Sequence, residues 1–194
     1  MDYLRIKESV MINRYLEVVI CVICLLISAT FYGQKYSTRS GNLKFEASVP
    51  SFEEVAGENK SASAVLDASK GDLAVLALMK GFRFKVALME EHFNENYVES
   101  DKYPKANFAG KVEGLDVSKL TSEAKTYNVT GNLTLHGKTK KITDAAKIYK
   151  SGDKIIIAGS FTVKPEEFDI EIPKVVSSKV ADKVEITYNL SLSK

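Results

Sequence analysis

The chain has 194 residues, 45% of them hydrophobic and 27% charged, and carries a formal net charge of +2. That length suits one well-buried core and is short for two full domains. Its 27 basic residues nearly balance its 25 acidic ones and do not cluster, which argues against a nucleic-acid surface, since a phosphate backbone is met by concentrated positive charge.

Residues 18–27 are apolar without interruption. The run is too short to span a bilayer, which takes about 20 residues, and has the length of a signal-peptide core. Asn13 and Arg14 precede it, whereas the first ten residues are charge-balanced, so Met11 is the expected start of translation. Residues 1–33 are therefore expected to be a signal peptide cleaved within a few residues of Gln34, where Ser28, Ala29 and Gly33 supply small side chains. Cys21 and Cys24 lie inside the apolar run, so their C-x-x-C spacing points to neither a redox nor a zinc site. Residues 19–20 and 22–23 lack the small side chains that precede a lipid-modified cysteine. A periplasmic or secreted product follows, with no disulfide and no stable membrane span.

Beyond Tyr36 nearly every segment alternates with period two, the signature of strands with one wet face. Leu43, Phe45, Ala47 and Val49 alternate with Lys44, Glu46 and Ser48. Ser51, followed by Phe52, Glu53 and Glu54, places an N-cap before two acids and predicts a helical turn over 51–56. Strands are predicted over 61–67 and 72–85. The second is apolar on both parities, with Val75, Ala77 and Met79 on one side and Leu76, Leu78, Phe82 and Phe84 on the other, as for a wall that is also covered. A short helix over 86–97 would bring Leu88, Met89, His92 and Phe93 to one side. Four strands follow, over 106–113, 127–137, 140–149 and 154–163, with turn signals at 69–72, 136–137 and 151–153. Pro165 and Pro173 bracket a weak strand over 168–172, read as a hairpin at one rim. Val184, Ile186, Tyr188, Leu190 and Leu192 define the last strand. The result is an all-β domain of about eight antiparallel strands, and alternation alone leaves a closed barrel and a sandwich both open.

The chain contains two histidines, His92 and His136. Glu90-Glu91-His92 is not the H-E-x-x-H spacing of a zinc site, and His92 is expected to be a hydrogen-bonded structural residue. His136 precedes Gly137 and is expected to cap that loop. No G-x-S-x-G motif accompanies a base, so no catalytic residue, metal ligand or cofactor is assigned. The N-x-S/T triplets at Asn128, Asn132 and Asn189 fall on the polar faces of strands, where they arise by chance.

Residues 90–97 (EEHFNENY), 103–110 (YPKANFAG) and 131–140 (GNLTLHGKTK) are specific in combination. Together they resemble the YceI-like family of bacterial secreted and periplasmic proteins. The resemblance implies a lipocalin-like antiparallel β-barrel over 34–194 with a short helical lid. Some members bind polyisoprenoid lipids, so it also implies an isoprenoid-type or other amphiphilic lipid as partner. The implied lumen residues are Phe82, Phe84, Phe108, Leu133, Leu135, Ile155, Ile157 and Phe161, with Leu88, Met89 and Phe93 as the lid. A polar head would stay near the mouth, where Lys138, Lys140 or Lys141 could meet an anion. The chain departs from many relatives in having residues 36–41 (YSTRSG) in place of a Trp-containing first strand, and it has no Trp at all. Two other functions remain open: a filled barrel acting through its surface in envelope stress or structure, and an enzyme acting on a lipid or quinone. The strand parity that faces inward and a homodimeric state are also left open.

Overall fold

The computed structural model describes residues 35–50 and 52–194. The expected signal segment, with Met11, Cys21 and Cys24, lies outside them, as does Ser51. Nine strands are described: β1 (Lys35–Ser48), β2 (Ala56–Asp67), β3 (Asp72–Leu78), β4 (Arg83–Phe84), β5 (Lys105–Val112), β6 (Lys125–Leu135), β7 (Lys138–Ser151), β8 (Lys154–Val163) and β9 (Val180–Leu192). Eight form a ring in the order β1, β2, β3, β5, β6, β7, β8, β9 and back to β1, every pair antiparallel. The two-residue β4 pairs only with β2. This is the closed, lipocalin-like barrel, and closure removes the exposed edges that an open sheet would carry.

Neighbours in the ring are consecutive strands except between β3 and β5, where the lid and β4 are inserted, and between β9 and β1, where the ring closes. The inward parity on β9 runs through Val184, Ile186, Tyr188, Leu190 and Leu192, as the alternation requires. On β1 it changes, from Tyr36 to Leu43 and Phe45, because the register with β2 shifts on either side of Gly41. Glycine is needed there: a Cβ on Gly41 would stand 2.7 Å from Leu190 Cδ2 and 3.1 Å from the Ala62 carbonyl.

The interior has two parts. At the end that carries the β2–β3 and β7–β8 turns, Leu66, Ile148, Ile155, Ile157, Leu190 and Leu192 are completely buried against one another. A 3-10 turn at Val117–Lys119 closes that end with Val117 and Leu120. Toward the opposite end Met79, Phe82, Val98, Val163, Phe168 and Ile170 form a second apolar shell.

Four predicted elements differ. The strand expected over 72–85 stops at Leu78 and turns through a 3-10 segment, Met79–Gly81, before β4. The Met79 N–H donates to the Pro104 carbonyl and Asn59 Nδ2 donates to the Leu78 carbonyl, so both groups are satisfied away from a continued ladder while Met79 and Phe82 stay buried. The strand expected over 168–172 is absent. Pro165–Phe168 is a 3-10 turn with Phe168 fully buried, Asp169 takes a left-handed backbone, and a four-residue helix α2 follows at Lys174–Ser177 after helix α1 (Ala87–His92) earlier in the chain. Residues 52–55 form no helical turn, and β2 starts at Ala56, five residues before its expected start.

Candidate functional site

The second apolar shell encloses a cavity of about 380 Å³ rather than a filled core. Inward residues of β3 (Val75, Ala77), β5 (Ala106, Phe108), β6 (Leu133, Leu135), β7 (Ile142) and β9 (Val184, Ile186) line it. This size falls in the range of small-ligand pockets, and an eight-stranded barrel has just enough width for one.

The lid is built on aromatic packing. Phe93 stacks on Phe45 with centroids 5.2 Å apart and planes at 19°, and it also meets Phe84 at 5.1 Å and Phe82 at 5.8 Å. Phe93 opens a π-helical turn, Phe93–Tyr97, directly after α1. Glu90 on α1 anchors the lid to β4 by accepting from Arg83 at 2.6 Å and from the Phe84 N–H at 3.2 Å. Lys85 pairs with Glu54 from the β1–β2 connection. Met89 and Phe93, four residues apart, both face the cavity.

His136 ties the top of the barrel together. Its Nδ1 lies 2.9 Å from the Phe168 carbonyl and its Nε2 2.8 Å from Glu99 Oε2, while Tyr103 meets its ring edge-to-face at 4.4 Å. Three connections, β6–β7, β3–β5 and β8–β9, therefore converge on one buried side chain. His136 and Gly137 both have positive φ, as a tight two-residue hairpin loop requires. Glu99 and Asp169, the other non-glycine residues with positive φ among those described, lie at the same tie. His92, expected to be the hydrogen-bonded one, is instead exposed at the rim of the cavity, because on α1 its face looks outward past Phe93.

The cavity wall carries a polar pair of side chains joined across strands, from β9 to β7. Tyr188 on β9 donates its hydroxyl to Asp144 Oδ2 on β7 at 2.5 Å. Burial, followed by the Asp144 hydrogen bond, raises the Tyr188 pKa well above that of a free phenol, so the hydroxyl stays protonated. Elsewhere on the wall Phe108 packs against Gly110 and Gly131, where an added Cβ would stand 2.6 Å from its Cζ.

Of the residues expected to form the lumen and lid, Phe82, Phe84, Met89, Phe93, Phe108, Leu133, Leu135 and Phe161 are brought together around the cavity. Three are not. Ile155 and Ile157 have the inward parity but sit one level too deep, in the packed end, where they contact no open space. Leu88 is 57% exposed, since one residue along α1 turns it about 100° away from Met89. Lys138 is held by Asp169 at 2.7 Å, and Lys140 and Lys141 are both exposed, Lys141 beside the outer cleft between β7 and β8. Sequence reasoning missed Phe45, Ile142, Phe168, Asp144 and Tyr188. Phe45 and Tyr188 were visible as inward members of alternating strands; Phe168 was hidden in an apparent edge strand.

The family model described as YceI-like domain matches residues 34–192. No curated protein sequence matches the chain. Among solved structures, the chain is similar to a polyisoprenoid binding domain from Saccharophagus degradans implicated in plant cell wall breakdown, with a TM-score of 0.71, 15% identity, and 82% of this chain covering 97% of that one. It is also similar to Burkholderia cenocepacia BcnA, with a TM-score of 0.64, 20% identity, and 79% of this chain covering 96% of that one. Campylobacter jejuni YceI protein matches with a TM-score of 0.56, 22% identity, and 71% of this chain covering 84% of that one. At these identities the similarity establishes the shared fold.

Proposed function

Because the chain belongs to the YceI-like domain family, we propose that it is a periplasmic or secreted carrier that holds an amphiphilic lipid of the polyisoprenoid class in its lumen. The observation that carries this reading is the apolar cavity, closed at one end by the packed core and at the other by the Phe93 lid. A filled barrel working through its surface would have no use for such a space. The ligand class is supported by the Saccharophagus domain, which is described as polyisoprenoid-binding. Each buried methylene contributes about 0.8 kcal/mol, so a few isoprene units supply ample affinity. No reaction is assigned. The periplasmic or secreted location is supported by the apolar run at 18–27.

Protein purified from the envelope of its own cells, extracted with organic solvent and analysed by mass spectrometry, should release an isoprenoid-type lipid. Lipid-free protein that also takes up no added polyisoprenoid would overturn the carrier reading. N-terminal sequencing of the same material should begin within a few residues of Gln34; retention of Cys21 or Cys24 would replace a soluble carrier with an anchored one.

A further inference from the structure

The ladder between β7 and β8 is incomplete. It runs from Ser151↔Lys154 to Lys147↔Ala158 and stops, although β7 extends back to Lys138 and β8 forward to Val163. Above that point the two strands diverge, each still paired on its other side. A cleft on the outer surface follows the gap and is lined by Lys141, Thr143, Ser160, Thr162 and Glu167, together with Ile142 and Phe161, which also line the internal cavity. The Asp144–Tyr188 pair sits where the strands part: Tyr188 is paired with Gly159, and a Cβ at Gly159 would collide with both the carboxylate and the hydroxyl. Only glycine lets a side chain of β9 reach across β8 to β7.

The hydrogen-bond inventory of this pair is one-sided. Asp144 Oδ1 accepts from the Ala145 N–H at 2.7 Å and Oδ2 accepts the Tyr188 hydroxyl, which has a single hydrogen and has given it away. What remains toward the cavity are lone pairs on the carboxylate and on the phenol oxygen. A partly buried group that can only accept favours a partner that donates, and a carboxylate in an apolar wall disfavours an approaching anion.

We propose that the Asp144–Tyr188 pair, beneath the β7–β8 gap, is the subsite for the polar end of the lumen ligand, and that it selects an end bearing a hydrogen-bond donor, such as an alcohol, amide or amine, over a phosphate or carboxylate. The tail then runs toward the aromatic lid and the polar end lies at the side of the barrel, not at the lid mouth. This rests on the carrier reading above and adds the head-group chemistry to it.

Matched C15 probes test it on the full chain: farnesol, farnesyl phosphate and the parent hydrocarbon farnesane. The unmodified protein should bind farnesol about tenfold more tightly than either of the others. Asp144→Ala should bring farnesol down to the level of farnesane and leave farnesane unchanged. Asp144→Asn keeps the shape, and its amide either donates to the cavity or donates to Tyr188 and frees the phenol hydrogen; the preference for farnesol over farnesyl phosphate should shrink or reverse. Equal binding of farnesol and farnesane, or a farnesol preference untouched in both variants, overturns the subsite and leaves the carrier reading standing. Tighter binding of farnesyl phosphate that is lost in Lys179→Gln would move the head group to the mouth, where Lys179 lines the rim. If none of the three probes binds the unmodified chain, both readings fail together.

Discussion

The two halves of this barrel are built from the same strands and the same alternation, yet one half is solid and the other hollow. In the solid half Leu66, Ile148, Ile155, Ile157 and Leu192 are completely buried against one another, and Leu190 marks the boundary, packed in that cluster while also lining the cavity. In the hollow half the inward positions of β1, β3, β5, β6 and β9 hold a wall around about 380 Å³, and four phenylalanines close it from above. The difference teaches that inward parity is a property of the strand, whereas packing is a property of the level along the barrel axis. A residue in the solid half resists both loss and gain of volume; one in the hollow half should tolerate either.

The largest expected break in that contrast is Ile157→Ala. A completely buried side chain leaves a cavity behind, and the cost should be about 2–5 kcal/mol, seen as a lowered midpoint in urea unfolding with an unchanged slope. Leu135→Ala, on the half-buried cavity wall, should cost much less; equal losses would mean the two halves are packed alike.

Adding volume sharpens the same point. Ile157→Trp should destabilise by roughly 1–3 kcal/mol through overpacking, while Leu135→Trp should leave thermal stability nearly unchanged and reduce bound lipid. Comparable destabilisation in both variants would make the cavity a region of tight packing.

Phe93→Asp addresses the lid alone. It removes a ring that meets Phe45, Phe82 and Phe84, so hydrogen exchange should accelerate across residues 86–103 while β6 to β9 keep their protection. Loss of protection throughout the barrel would show the lid to be part of the folding core.

The smallest effect lies at the closed end. Asp116 caps the 3-10 turn after β5, accepting from the Ser118 hydroxyl at 2.6 Å and its N–H at 3.1 Å and pairing with Lys119 at 2.9 Å. The Ser118 and Lys119 hydrogen bonds lower its pKa to about 2. A folded pKa below the unfolded one means its contribution is complete above the ordinary aspartate range, near pH 4, and disappears as pH falls toward 2. Carboxyl NMR titration should give a midpoint near 2; an ordinary midpoint would dissolve the cap.

Much of the strand pattern was legible. The β8 strand was expected and found over 154–163, and β6, β7 and β9 differ from expectation by two or three residues at their ends, because each alternates cleanly and is bounded by turn residues. Two of the misreadings share a cause. Residues 79–85 and 168–172 keep an apolar rhythm while the chain bends, since Met79, Phe82, Phe168 and Ile170 plug the barrel instead of extending a ladder. Periodicity reports which side chains avoid water and is silent on whether the backbone between them runs straight.

By itself, then, the sequence determined an all-β chain of alternating strands with the inward parity left open and, through three short motifs, the resemblance to its family that implied a lid of Leu88, Met89 and Phe93. The tertiary structure alone decided where along the axis each inward residue falls, so that Ile157 is core and Leu135 is wall. It also decided that β7 and β8 part above Lys147 and that Tyr188 reaches Asp144 across Gly159. Those facts depend on register, bulges and tilt around a closed ring, relations between residues far apart in the chain that no local pattern encodes.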